Sequence, residues 1–63
     1  MYMNKFFKTK EEAKAFQKEH GGALYSNAKG SRTKRDYQTE AAMMEKTEAF
    51  REEHPYVVAW NQK

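Results

Sequence analysis

The apolar positions of this chain fall into short runs between charged stretches, and their spacing changes along the sequence. Residues 2–8, Tyr2 to Lys8, have the aromatic content of a short strand, although their alternation is imperfect. At Thr9 the pattern turns helical. Thr9-Lys10-Glu11-Glu12 fits a capping box, a hydroxyl followed three residues later by a carboxylate, each suited to an otherwise unpaired amide. Good helix formers continue to His20, and Gly21-Gly22 supplies a left-handed stop. This predicts a helix over 10–20 with Ala13, Phe16 and His20 on one narrow face and Lys10, Lys14 and Lys18 on another, roughly opposite.

Residues 23–27 read as a second short strand. Residues 28–33 hold Gly30 and Ser31 and no large apolar anchor, so they read as a loop. A second helix is expected to begin near Asp36, with Thr33 and Asp36 as a shortened capping box. Tyr37, Ala41 and Met44 make its apolar stripe at i, i+4 and i+7, whereas Phe50 falls about 140° off that line. One straight helix cannot bury both Met44 and Phe50 well. The sequence therefore predicts a break near Glu45-Lys46-Thr47, with Thr47 capping a short final helix to His54 and Pro55 closing the segment.

Residues 56–61 are the clearest strand: Tyr56, Val58 and Trp60 point one way, Val57 and Ala59 the other. Apolar residues on both faces mark a central strand, or one covered on one side and sticky on the other. The expected fold is α+β, a small three-stranded sheet packed by two helices in β-α-β-α-β order, with the second helix broken at 45–47. With helices on a single face, aromatics among Tyr2, Phe6, Tyr25, Tyr56 and Trp60 would stay on an open sheet face. The run Lys5-Phe6-Phe7-Lys8-Thr9-Lys10-Glu11-Glu12-Ala13, the Arg35-Asp36-Tyr37 stretch and the ending Pro55-Tyr56-Val57-Val58-Ala59-Trp60-Asn61 together resemble short uncharacterised reading frames of phages and prophages of Gram-positive bacteria. That resemblance is one of style and length; it implies an accessory or host-interacting protein and no particular activity.

At 63 residues the chain is one small domain, spanning 1–63. Only seven residues are Leu, Ile, Val or Phe, which raises a disorder flag; nine aromatics and a net charge of only +3 stand against it. A single core of this size rarely supplies more than about 3–5 kcal/mol, which makes self-association an option. There is no Cys, hence no disulfide framework and no thiolate chemistry, as suits an intracellular protein. No apolar run approaches the ~18 residues of a membrane span, and no signal-peptide core is present. The expectation is a cytoplasmic protein without membrane contact.

The net charge hides an asymmetry. Residues 1–35 carry nine basic and three acidic side chains, net +6, whereas residues 36–63 carry three basic and six acidic ones, net −3. Segregation of this kind suits an oriented partner, and two solvated halves are the plain alternative.

Catalytic chemistry finds little here. Ser26 and Ser31 have no nucleophile elbow, Gly30 stands alone without a phosphate-cradling loop, and the adjacent acids Glu11-Glu12 and Glu52-Glu53 splay apart on a helix. The chain is therefore expected not to be an enzyme and to use no cofactor. His20 and His54 lie 34 positions apart with no metal-ligand spacing, and both read as helix C-terminal residues favoured by the helix dipole.

The sharpest feature is Lys29-Gly30-Ser31-Arg32-Thr33-Lys34-Arg35, four cations interleaved with hydroxyls and leading to a helix N-terminus. Lysine and arginine release counterions from phosphates, hydroxyls donate to phosphate oxygens, and a helix end adds free amides. The candidate nucleic-acid contacts are thus Lys29, Arg32, Lys34 and Arg35, extended by the Lys10, Lys14 and Lys18 ridge. The plain reading of the same residues is a solvated loop beside a lysine-rich helix. A second reading takes Tyr2, Tyr25 and Tyr56 as a protein interface on the sheet, in an adaptor or inhibitor directed at a host protein. A homodimer through a sheet edge or face is the third.

Thr9→Ala should lower stability by about 1 kcal/mol through loss of the N-cap acceptor. Thermal melting checks this, and an unchanged midpoint would remove Thr9 from that role.

Overall fold

The structure is a computed structural model describing residues 1–62; Lys63, counted in the charge balance, lies outside the described residues. The element order is β1 (Tyr2–Phe7), α1 (Lys10–His20), β2 (Ala23–Ser26), α2 (Tyr37–Met44), α3 (Glu48–Glu53) and β3 (Tyr56–Asn61). The three strands form one sheet in the order β1-β3-β2, and both outer strands run antiparallel to β3. The strand whose two faces are both apolar is therefore the central one. Helix α1 carries the chain from β1 across β3 to β2.

Register divides the side chains between the faces, because residues paired across an antiparallel ladder point the same way. Lys5, Val58 and Leu24 align on one face, with Phe7, Tyr56 and Ser26 beside them and Met3 opposite Trp60. This face receives α1: Phe7, Ala13 and Val58 are buried together, with Phe16, Leu24, Tyr56 and Trp60 packed around them. Phe6, Val57 and Tyr25 align on the other face, beside Asn4, Ala59 and Ala23. Here Phe6 meets Phe50 of α3 edge to face, with ring centroids 5.5 Å apart, and Thr39 and Met43 of α2 are buried.

Helices thus cover both faces, and the open aromatic sheet face expected from one-sided packing is absent. The reason lies in β3. Val57, Val58 and Ala59 are 1%, 0% and 4% exposed, so three consecutive residues are buried and neither face of the strand faces water. Tyr2 and Tyr25 lie on the α2 side, Tyr56 on the α1 side, and all three are half-buried.

The N-cap hydroxyls and the glycine stop follow the sequence, and of the Thr9 capping box the hydroxyl half is formed. Thr9 Oγ1 accepts the Glu12 N–H at 3.2 Å, and Gly21 ends α1 with φ 77°, its N–H donating to the Gln17 carbonyl. The break between the last two helices is present. Thr47 Oγ1 accepts the Phe50 N–H at 3.1 Å, while Arg51 Nη1 donates to the Met43 and Lys46 carbonyls at 3.0 and 2.6 Å. Arg51 thereby satisfies acceptors that the end of α2 leaves open.

Two expectations need correction. The stripe Tyr37, Ala41 and Met44 faces solvent, with Tyr37 87% and Met44 68% exposed; α2 buries Thr39 and Met43 instead. Asp36 sets this rotation: its carboxylate caps the helix at the Thr39 N–H, 2.7 Å away, and also binds the tyrosines of the sheet. Thr33 is not part of a capping box. Its Oγ1 accepts the Ser26 N–H at 2.8 Å and its N–H donates to the Ser26 carbonyl at 2.9 Å, so it fastens the loop to the end of β2.

The glycine pair has divided roles. Gly22 lies at φ 96°, and a Cβ there would meet the Ala59 carbonyl oxygen at 2.3 Å and Trp60 Cβ at 2.7 Å; at Gly21, φ 77°, nothing lies within 4 Å. Gly21→Ala should cost about 1–3 kcal/mol, because φ 77° with ψ −167° is a backbone region that essentially only glycine enters. Gly22→Ala should cost a further 1–3 kcal/mol or so, because β2 must shift from β3. Denaturation of the two variants side by side checks the difference, and equal losses would contradict the close approach.

Candidate polyanion interface

Lys10, Lys14 and Lys18 occupy successive turns of α1 and are all exposed. The helix is held from behind by Ala13 and Phe16, which pack on the sheet. Among the described residues, no carboxylate lies within 4 Å of any of these lysines; the ion pairs found there are Lys8–Glu53 and Arg35–Glu40. Neighbouring like charges at this spacing cost a few tenths of a kcal/mol per pair. The ridge is a standing positive stripe.

The loop between β2 and α2 is tied down at several points. Besides the Ser26–Thr33 pair, the Asn27 N–H donates to the Pro55 carbonyl at 2.6 Å, and the Ser31 N–H donates to the Ala28 carbonyl at 2.9 Å across a turn containing Gly30 at φ 85°. Its four cations have different surroundings. Arg35 Nε donates to Glu40 Oε2 at 2.8 Å, and this side chain is only 14% exposed. Lys29 and Arg32 line an open groove of about 500 Å³ whose far wall carries Glu48 and Glu52 of α3. Lys34 is exposed. The fold therefore separates a cluster that is contiguous in sequence: one cation is neutralised, two face acids and one faces solvent.

A smaller pocket, about 260 Å³, lies where the ridge meets the loop. Lys10 lines it together with Leu24, Ser26, Ser31, Thr33 and Tyr56. The base of the α1 ridge and the middle of the basic loop thus share one concavity, although more than 20 positions separate them in sequence. Of these residues Lys10 is a contact expected from the sequence, whereas Ser26 had no expected role and Tyr56 was assigned to a protein interface. The register that sets Ser26 opposite Tyr56 is the signal that links them.

A second polar cluster has no counterpart in the sequence pattern. The Tyr2 hydroxyl donates to both Asp36 carboxylate oxygens at 2.9 and 2.8 Å, and it is also hydrogen-bonded to the Thr39 hydroxyl. The Tyr25 hydroxyl donates to Asp36 Oδ2 at 3.2 Å. Partial burial raises both tyrosine pKa values, and the neighbouring Asp36 raises them further. Asp36 is held below the ordinary carboxylate range, chiefly by the Thr39 N–H and further by the Thr39, Tyr2 and Tyr25 hydroxyls, against partial desolvation. The cluster fastens α2 to β1 and β2.

Each histidine stacks on the phenylalanine four residues before it: His20 on Phe16 with centroids 4.1 Å apart, His54 on Phe50 at 4.2 Å. Among the described residues no group of three His, Cys, Asp or Glu side chains is placed to hold a metal ion, and no helix is long and apolar enough to cross a membrane. Comparison with protein-family models, with curated proteins and with solved structures gives no match to this chain.

Since the pKa of Asp36 is depressed in the folded state, its contribution to stability is complete above the unfolded value of about 3.9 and is lost as pH falls through the folded value. Asp36→Asn keeps an N-cap acceptor and removes the titration. Melting temperatures measured from pH 6 down to about pH 2 should fall less for Asp36→Asn than for the native chain. Parallel curves would show that the cluster contributes no pH-linked stability.

Proposed function

We propose that this protein is a small accessory binding protein for nucleic acid or a related polyanion, gripped along the α1 lysine ridge and the adjoining part of the 29–35 loop. The observation that carries this reading is the shared pocket in which Lys10 meets Ser31 and Thr33. It sets the hydroxyls of the 29–35 loop beside the foot of the lysine ridge, so that a phosphate backbone can pass from one to the other. Lys14 and Lys18 continue the ridge up the helix, and Lys34 is exposed beyond Thr33. Contacts of this kind act through counterion release and carry no base sequence information of their own.

Arg35 plays a smaller part in this proposal than its neighbours, because Glu40 already neutralises it. Lys29 and Arg32 sit opposite Glu48 and Glu52, which lowers the local potential for phosphate. The alternative, a protein interface on the sheet through Tyr2, Tyr25 and Tyr56, has less support. These tyrosines are half-buried and divided between two covered faces, and Asp36 engages the hydroxyls of two of them.

Affinity for a labelled single-stranded oligonucleotide should fall with salt, each phosphate contact contributing about 0.7 to the log–log slope. Lys14→Gln with Lys18→Gln should reduce that slope by roughly 1.4, with the fold intact by circular dichroism. Arg35→Gln should reduce it by less than one contact. Absence of binding below about 100 μM at ~50 mM salt, weaker than ordinary non-specific association, would end the polyanion reading.

A further inference from the structure

The pocket between the start of α1 and the loop sets Lys10, Ser26, Ser31, Thr33 and Tyr56 around Leu24, and no carboxylate lines it. From this we propose that it is a binding site for a terminal phosphomonoester, the dianionic end of a nucleic-acid strand. The source of the phosphate rests on the polyanion reading above; the pocket chemistry stands on its own.

Lys10 brings a positive charge and three N–H donors, and as the first residue of α1 it lies at the positive end of the helix dipole. Ser26 is only 9% exposed. Its oxygen accepts the Ala28 N–H at 3.2 Å, which leaves its hydroxyl proton to donate elsewhere. Among the described residues, neither the Ser31 nor the Tyr56 hydroxyl makes a hydrogen bond, and both residues line the same pocket. Thr33 serves the wall instead, since its hydroxyl oxygen is occupied by the Ser26 N–H and holds the loop in place. Lys10 and three hydroxyl-bearing residues, Ser26, Ser31 and Tyr56, thus line a pocket where the protein supplies no anion to receive their donors. Hydrogen bonds to a charged acceptor are about twice as strong as neutral ones.

Size and charge narrow the ligand. Pockets for drug-sized molecules run from about 300 to 1,000 Å³, and this one, at about 260 Å³, has room for a phosphoryl group together with part of the nucleotide that carries it. A monoester carries close to two negative charges and three accepting oxygens at neutral pH, whereas an internal phosphodiester carries one charge. Four donors favour the former. The larger groove beside it cannot serve the same ligand, because Glu48 and Glu52 line it.

The test pairs two probes on the full chain. Single-stranded oligonucleotides of one sequence, bearing a 5′-phosphate, a 3′-phosphate or hydroxyl ends, are titrated by fluorescence anisotropy. Inorganic phosphate is titrated separately, with amide shifts as the readout. The expected results are binding about tenfold tighter for a phosphorylated end, the size of one charge-assisted hydrogen bond, and saturable shifts at Lys10, Ser26 and Ser31. Lys10→Met with Ser31→Ala, both at exposed positions, should abolish the preference and the shifts, and Tyr56→Phe should weaken both. Equal affinity for all three oligonucleotides overturns the pocket proposal and leaves the polyanion reading standing. Saturable phosphate shifts without oligonucleotide binding uphold the pocket and overturn the polyanion reading. Absence of both overturns the two together.

Discussion

The structure depends on the burial of β3 from both sides. Fully burying a valine is worth about 1.5–3 kcal/mol, and the net stability of a core this size is about 3–5 kcal/mol. Val57 and Val58 point to opposite faces and are both essentially inaccessible. Uncovering either face would remove a contribution comparable with the whole margin, so the chain must supply a helical layer on each side. It does so with 11 residues on one face, α1, and with two shorter helices, α2 and α3, on the other.

The Phe6-Phe7 dipeptide distributes this requirement. Adjacent strand residues point to opposite faces, so one ring goes to each layer. Phe7 meets Phe16, with His20 stacked behind it and the Lys5 ammonium 5.3 Å from the Phe16 ring centre. Phe6 meets Phe50, with His54 stacked behind it and the Lys46 ammonium 5.2 Å from the Phe50 ring centre. Two aromatic clusters, each a phenylalanine pair with a histidine and a lysine, thus anchor the two layers, and Trp60 joins the first. Aromatic pairs add about 0.5–1.5 kcal/mol beyond their buried area, which matters in a chain with one Leu and no Ile.

Thr33 and Asp36 connect the fold to its candidate site. Thr33 fixes the loop against β2, and Asp36 fixes α2 against the tyrosines of β1 and β2. Ser31 lies in the loop that the Ser26–Thr33 pair closes, and it shares a pocket with Lys10 at the start of α1. The start of α2 places Arg35 beside Glu40 and keeps it from the ridge. A row of cations in sequence becomes a divided set in space, and the surface most suited to phosphate is centred on the helix.

Local rules suffice for the pieces. The Thr9 and Thr47 caps, the glycine stop of α1, the break before Glu48, the three strands and the alternation of β3 all depend on residues within a few positions of one another, and each was legible in the chain. The lysine ridge was legible for the same reason, since it follows from helical spacing alone. Three features depended on distant partners. The rotation of α2 is set by Asp36 meeting Tyr2, 34 positions earlier, and local periodicity pointed to the wrong stripe. The partnering of Arg35 depends on which way α2 starts. The pocket requires Ser26 and Tyr56 to pair in register and Lys10 to cross above them. Hydrophobic pattern and capping fix which segments form, because both are local in their demands. Which polar groups then meet is decided by the packing of the layers, because a hydrogen bond or an ion pair acts only at the few ångströms that the assembled fold provides.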